Sequence, residues 1–191
     1  MNMDHKKIIK FLKIIGLVIV CLSAIEIGFM IALNFTVFDL NGNSILLSEF
    51  IYGSNYVSLN GTLLWFFFII SMALFLTLGF FIFKTARANK IESKSLAKLM
   101  IVMGMVILIG SLIKMNYLVL LGKTPLLFPP PVGTIVFQAA LYNLDITPIL
   151  PAIFWTFFIS VNCFIMIISL IFTAFGINWT LKIEELEIKK E

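Results

Sequence analysis

The chain has 191 residues, of which 61% are hydrophobic and only 13% charged, against about half and a quarter in soluble domains. A water-soluble protein of this length has no core large enough to hide that much apolar surface. The net charge of +4 invites a nucleic-acid partner, but the basic residues gather at the ends of apolar runs, which excludes that class.

Four apolar runs lie at about 8–33, 63–83, 96–121 and 149–175, each long enough to cross a hydrocarbon core with about 20 helical residues. In lipid the backbone must satisfy its own N–H and C=O groups, so each span is helical. The expected fold is an all-α membrane protein with four transmembrane helices in a single domain, residues 1–191. External loops are expected at 34–62 and 122–147 and a cytoplasmic tail at 176–191. No internal repeat and no soluble domain are read.

Span 1 follows the basic start Met1-Asn-Met-Asp-His-Lys-Lys7. It is about twice the length of a usual signal-peptide h-region and carries Glu26, so it reads as a retained signal anchor. Ala24, Gly28 and Ala32 form a small-xxx-small-xxx-small stripe that admits a second helix at close range. At about 100° per residue, Glu26 points away from that stripe. The first loop holds Thr36–Leu40, Asn41-Gly42 and Asn43–Ser48, two short strands about a type I′ turn, because both turn residues need positive φ. A lone hairpin is marginal in water, so it must pack on the second loop or on a partner.

Span 2 begins with Trp65-Phe-Phe-Phe68, and span 4 contains Phe154-Trp-Thr-Phe-Phe158; both read as lipid-facing or packing aromatics rather than a cofactor slot. The short 2–3 connection is basic. Span 3 places Ala97, Gly104 and Ser111 seven apart on the side that carries Lys114, and span 4 does the same with Trp155, Asn162, Ser169 and Gly176. The second loop contains Pro129, Pro130 and Pro131, a short polyproline II rod. Val132–Tyr142 is too apolar for a solvated loop and fits a strand beside the hairpin, an interfacial helix or a surface for another subunit. Span 4 starts at Pro148 and is expected to continue past Trp179 into the tail.

Twelve of the fourteen Lys and Arg residues lie before span 1, around the 2–3 connection or in the tail; only Lys123 falls opposite and Lys114 within span 3. That asymmetry places both termini in the cytoplasm of a cell in which the plasma membrane is the expected location. Glu26 and Lys114 are the charges deep in the spans. Each lies eight residues before its helix exit, about 12 Å below the outer interface at about 1.5 Å per residue. Equal depth and opposite sign make them a pair, either pinning two helices or forming part of a site.

The single His5 excludes bis-histidine haem and histidine-dependent catalysis in the membrane. No Cys-x-x-Cys and no glycine-rich phosphate loop occurs, and no metal or cofactor is expected. Cys21 and Cys163 read as buried free thiols. Asn34-Phe-Thr36 and Asn60-Gly-Thr62 are sequons close to the membrane. The layout resembles that of claudin-like and tetraspanin-like four-span proteins, but the external-loop cysteines of those families are absent, so no role is carried over. The function read from these residues is a non-catalytic subunit of a larger membrane complex, with membrane lipids and other integral subunits as partners. The alternative is a small carrier, channel or lipophile-binding protein using Glu26 and Lys114.

Overall fold

The computed structural model describes residues 3–40, 43–52, 57–88, 92–127, 133–145 and 148–188. In chain order these form α1 (Met3–Asn34), β1 (Val37–Leu40), β2 (Asn43–Leu46), α2 (Leu47–Tyr52), α3 (Leu59–Ala88), α4 (Ser93–Gly122), β3 (Pro125–Leu127), β4 (Thr134–Val136), α5 (Phe137–Tyr142) and α6 (Ile149–Ile188). Four of these, α1, α3, α4 and α6, are long and apolar enough to cross a membrane. Each is longer than its apolar run. With 40 residues, α6 is about 60 Å long at ~1.5 Å per residue, twice a hydrocarbon core of ~30 Å. Most of the expected tail is therefore helix, continuous to Ile188.

Near-uniform hydropathy hides a regular inner seam on each long helix. On α1 the seam runs through Ile8, Leu12, Ile15, Ile19, Ser23, Glu26, Met30 and Leu33, in steps of three and four that alternate except for two successive fours from Ile15 to Ser23. The same alternation runs through Trp65, Phe68, Met72, Phe75, Gly79, Ile82 and Ala86 on α3, and through Ala97, Met100, Gly104, Ile107, Ser111, Lys114, Leu118 and Leu121 on α4. On α6 it runs Trp155, Phe158, Asn162, Ile165, Ser169, Phe172 and Gly176. A 3.5-residue period keeps one stripe facing its neighbours along the whole helix. Because lipid is as apolar as these side chains, what selects the seam is packing and hydrogen bonding rather than hydrophobicity.

The chain divides into two compact units, and every long helix contributes to both. Unit 1 comprises residues 1–23, 74–112 and 163–191. Here α1 meets α3 at Gly16, where an added Cβ would lie 2.7 Å from the Phe83 backbone nitrogen, and α4 meets α6 at Gly104, where it would lie 3.2 Å from the Ser169 carbonyl. Phe11 packs its ring on Phe172, Phe175 and Trp179. Across this unit His5 Nδ1 and Ser93 Oγ share a hydrogen bond of 2.8 Å, and Lys94 bonds Glu187 at 2.6 Å.

Unit 2 comprises residues 24–73 and 113–162 and contains both small sheets. β1 runs antiparallel to β2, with Val37 opposite Leu46, and β3 antiparallel to β4, with Pro125 opposite Val136. Gly133, at φ 72°, leads into β4 in the left-handed region that glycine adopts without strain. The apolar stretch after the prolines is thus neither a strand beside the first hairpin nor wholly an interfacial helix. Its strand pairs with β3, and α5 follows. Leu126, Phe137, Ala140 and Leu141 bury themselves in the core formed by Trp65, Phe68, Trp155 and Phe158. The aromatic runs therefore divide: Trp65, Phe68, Phe154, Trp155 and Phe158 fill this core, while Phe66 and Phe67 stay exposed.

One expectation fails outright. The chain contains an internal repeat, α–β–β–α–α, once over α1 to α3 and again over α4 to α6. Equivalent residues are 88 apart in the first helix of each copy and 90 apart after the sheet, because Pro125 to Val136 spans two residues more than Val37 to Leu46. Local details repeat with the elements. Thr36 and Thr124 each bond the carbonyl four residues earlier, and each accepts the N–H of the residue that opens the short helix, Leu47 or Phe137, at 2.8 Å. Gly16 against Gly79 and Phe83 recurs as Gly104 against Ser169 and Thr173. Phe29–Phe157 recurs as Phe67–Tyr117 with the copies exchanged, and Tyr52 on Phe66 as Tyr142 bonded to Thr156. A second correction concerns Cys21 and Cys163, which are free but exposed, because both fall off the inner seams.

Candidate functional site

The Glu26 and Lys114 side chains meet in unit 2. Lys114 Nζ lies 2.6 Å from both Glu26 Oε1 and Oε2, and both side chains are 0% exposed. Helical spacing explains the meeting, since each residue occupies a seam position, between Ser23 and Met30 on α1 and between Ser111 and Leu118 on α4. Phe68 covers the ammonium, its ring centroid 5.8 Å from Nζ, and packs edge-on against Phe158 at 5.5 Å. The ammonium thus has charge-assisted bonds to the carboxylate and the face of an aromatic ring.

A pair closed in this way suits a structural contact. Neither side chain reaches solvent, and an ammonium facing both carboxylate oxygens holds the helices at one height. Removing either partner of such a buried pair costs about 3–5 kcal/mol, because it strands the other charge. Among the described residues no group of three or more His, Cys, Asp or Glu side chains comes together.

The remaining sequence-derived residues fall into three sets. Ala97, Gly104, Ser111, Asn162 and Ser169 are buried on the seams of α4 and α6. In unit 1 an added Cβ at Gly176 would lie 3.0 Å from the Ala97 carbonyl, so this small-residue face is used within the chain. Ala24, Gly28 and Ala32 are exposed instead, and nothing lies within 4 Å of the place a Cβ would occupy at Gly28. Asn41, Gly42, Pro129, Pro130 and Pro131 lie outside the described residues.

Sequence reasoning missed the tightest α1–α3 contact, Gly16 with Gly79, and the repeat behind it. The signal was present. Gly16-Leu-Val-Ile-Val-Cys-Leu-Ser23 recurs as Gly104-Met-Val-Ile-Leu-Ile-Gly-Ser111, and Trp65-Phe-Phe-Phe-Ile69 as Trp155-Thr-Phe-Phe-Ile159. Glu26 and Lys114 themselves occupy equivalent positions in the two copies, as do His5 and Ser93, and Phe68 and Phe158. Direct contact between equivalent residues is what a local two-fold relation produces.

Four helices of this length and composition define an integral membrane protein built from a tandem repeat. No protein-family model matches the chain, and neither does any curated protein or solved structure.

Proposed function

We propose that the protein is a non-catalytic accessory subunit of a larger integral membrane complex, bound through the outer face of α1. The observation that carries this reading is the exposed Ala24–Gly28–Ala32 stripe. Among the described helical glycines, Gly28 alone has no neighbour within 4 Å of an added Cβ. The outer faces of α3, α4 and α6 carry large side chains such as Phe66, Phe81, Val102, Ile109, Ile167 and Leu170. At the positions equivalent to the stripe, α4 has Leu112, Asn116 and Leu120, so the repeat offers one small-residue face, not two. Small residues let helix backbones approach closely in lipid, where van der Waals contact drives association. The occupant is a transmembrane helix of another protein, one per chain.

In this reading the lysine-rich ends of the helices face the cytoplasm of the plasma membrane, with both termini there and the two sheets outside. The distribution of Lys6, Lys7, Lys10, Lys13, Lys84, Arg87, Lys94 and Lys98 against Lys123 supports that orientation. The enclosure of Glu26 and Lys114, both 0% exposed, favours the subunit reading over the carrier alternative.

The test is extraction from native membranes in mild detergent, followed by size analysis and mass spectrometry of wild type and Gly28→Leu. A partner of fixed stoichiometry, lost from Gly28→Leu while the chain itself stays folded, is the expected result. A monodisperse wild-type monomer overturns the proposal, and a homo-oligomer replaces it with self-association.

A further inference from the structure

The tandem repeat turns the Glu26–Lys114 pair into more than a pin. We propose that it is the recognition element that makes the first half of this chain, α1 to α3, pair with an unlike half, α4 to α6, and not with a copy of itself. The two residues occupy one equivalent position, 88 residues apart, and bond each other directly at 2.6 Å. A residue in that position always faces its own equivalent. Two first halves brought together would bury Glu26 against Glu26, and two second halves Lys114 against Lys114. Like groups enclosed at contact distance must repel or give up a charge, which disfavours both arrangements, while the unlike halves gain a closed ion pair.

Of the other contacts between equivalent positions, the His5–Ser93 hydrogen bond joins unlike but uncharged partners that solvent can also satisfy, since it is only part-buried. Facing residues at the other equivalent contact of unit 2 are Phe68 and Phe158, identical in the two halves. Along the first helix of each half the inner seam keeps its apolar or small character: Gly16 and Gly104, Ile19 and Ile107, Ser23 and Ser111, and Leu33 and Leu121 are identical pairs, and Ile8 and Leu96, Leu12 and Met100, Ile15 and Met103, and Met30 and Leu118 exchange one apolar residue for another. These shared positions would meet a second copy of the same half as they meet the neighbour, and position 26/114 would not. Among these positions, 26/114 is the one where like pairing would bury like charges.

Equivalence also bears on how fully an exchange of the two charges is tolerated. Because the two sides of the pair have matching surroundings, exchanging the charges rebuilds the same contact. The test uses the full chain in four forms: wild type, Glu26→Lys, Lys114→Glu and the double exchange Glu26→Lys/Lys114→Glu. Each is reconstituted in bilayers and read by its folded-to-unfolded ratio under graded denaturation. Each single reversal lowers the ratio on the order of a hundredfold or more, the scale of an uncompensated buried charge. The double exchange returns it to within about tenfold of wild type, allowing for imperfect additivity of neighbouring changes. A double exchange no better than either single reversal overturns the proposal, and so do single reversals that leave the ratio unchanged.

Discussion

Adding a side chain at Gly16 attacks a close backbone approach of α1 and α3. In Gly16→Ala the new Cβ would stand 2.7 Å from the Phe83 nitrogen and 3.0 Å from the Gly79 carbonyl oxygen. Both are backbone atoms of α3, so no rotamer change relieves the contact and the two helices must part by several tenths of an ångström. Overpacking of this kind costs about 1–3 kcal/mol. A larger residue, as in Gly16→Val, moves the helices further and costs more. Gly28→Ala, with open space around it, leaves the stability of the isolated chain unchanged on the same helix and in the same lipid. The assay is reversible denaturation in lipid–detergent micelles followed by tryptophan fluorescence, since Trp65 and Trp155 are 0% and 1% exposed and report the core. For a chain of this size about 1–3 kcal/mol lowers the midpoint temperature by about 2–12 °C. Equal losses at Gly16 and Gly28 would refute the reasoning, for then the penalty belongs to helix propensity or lipid contact and not to helix–helix distance.

Neutralising the pair gives a complementary result: Glu26→Gln and Lys114→Met each cost about 3–5 kcal/mol, and the double change recovers most of that loss in a thermodynamic cycle. Phe137→Ala removes a ring packed on Trp65 and Trp155, costing about 3–5 kcal/mol; limited proteolysis would show new cleavage near α5. Cys21→Leu and Cys163→Leu, both exposed and off the seams, change stability by less than about 0.5 kcal/mol in the same denaturation assay. Lys94→Gln breaks the exposed bond to Glu187 and leaves the midpoint temperature unchanged, while hydrogen exchange over residues 183–188 becomes faster.

The four long helices were legible because length and apolarity are properties of a segment by itself. The contact of Glu26 with Lys114 was legible for a related reason: two charges in apolar runs at equal depth have few other ways to be accommodated. Which faces turn inward was only half readable. Ala97, Gly104 and Ser111 stood out as small or polar residues at seven-residue spacing, but Met100, Ile107 and Leu118 on the same seam are no more apolar than Val102 or Ile109 opposite them. Chemistry does not separate the inner from the outer side of a helix in lipid; close approach does, and close approach is a property of pairs. Cys21 and Cys163 were misplaced for that reason. The repeat escaped because its halves agree mainly at seam positions scattered through otherwise interchangeable aliphatics, so that only Gly-x-Val-Ile and Trp-x-Phe-Phe-Ile carry the match.

The 88-residue separation of Glu26 and Lys114 also sets a clock on biosynthesis. At about 5–20 residues per second, a ribosome takes roughly 4–18 s to go from one to the other. Throughout that interval α1 is already made while the residue that completes its buried seam does not yet exist. Until its complement emerges, Glu26 has no Lys114 to neutralise it.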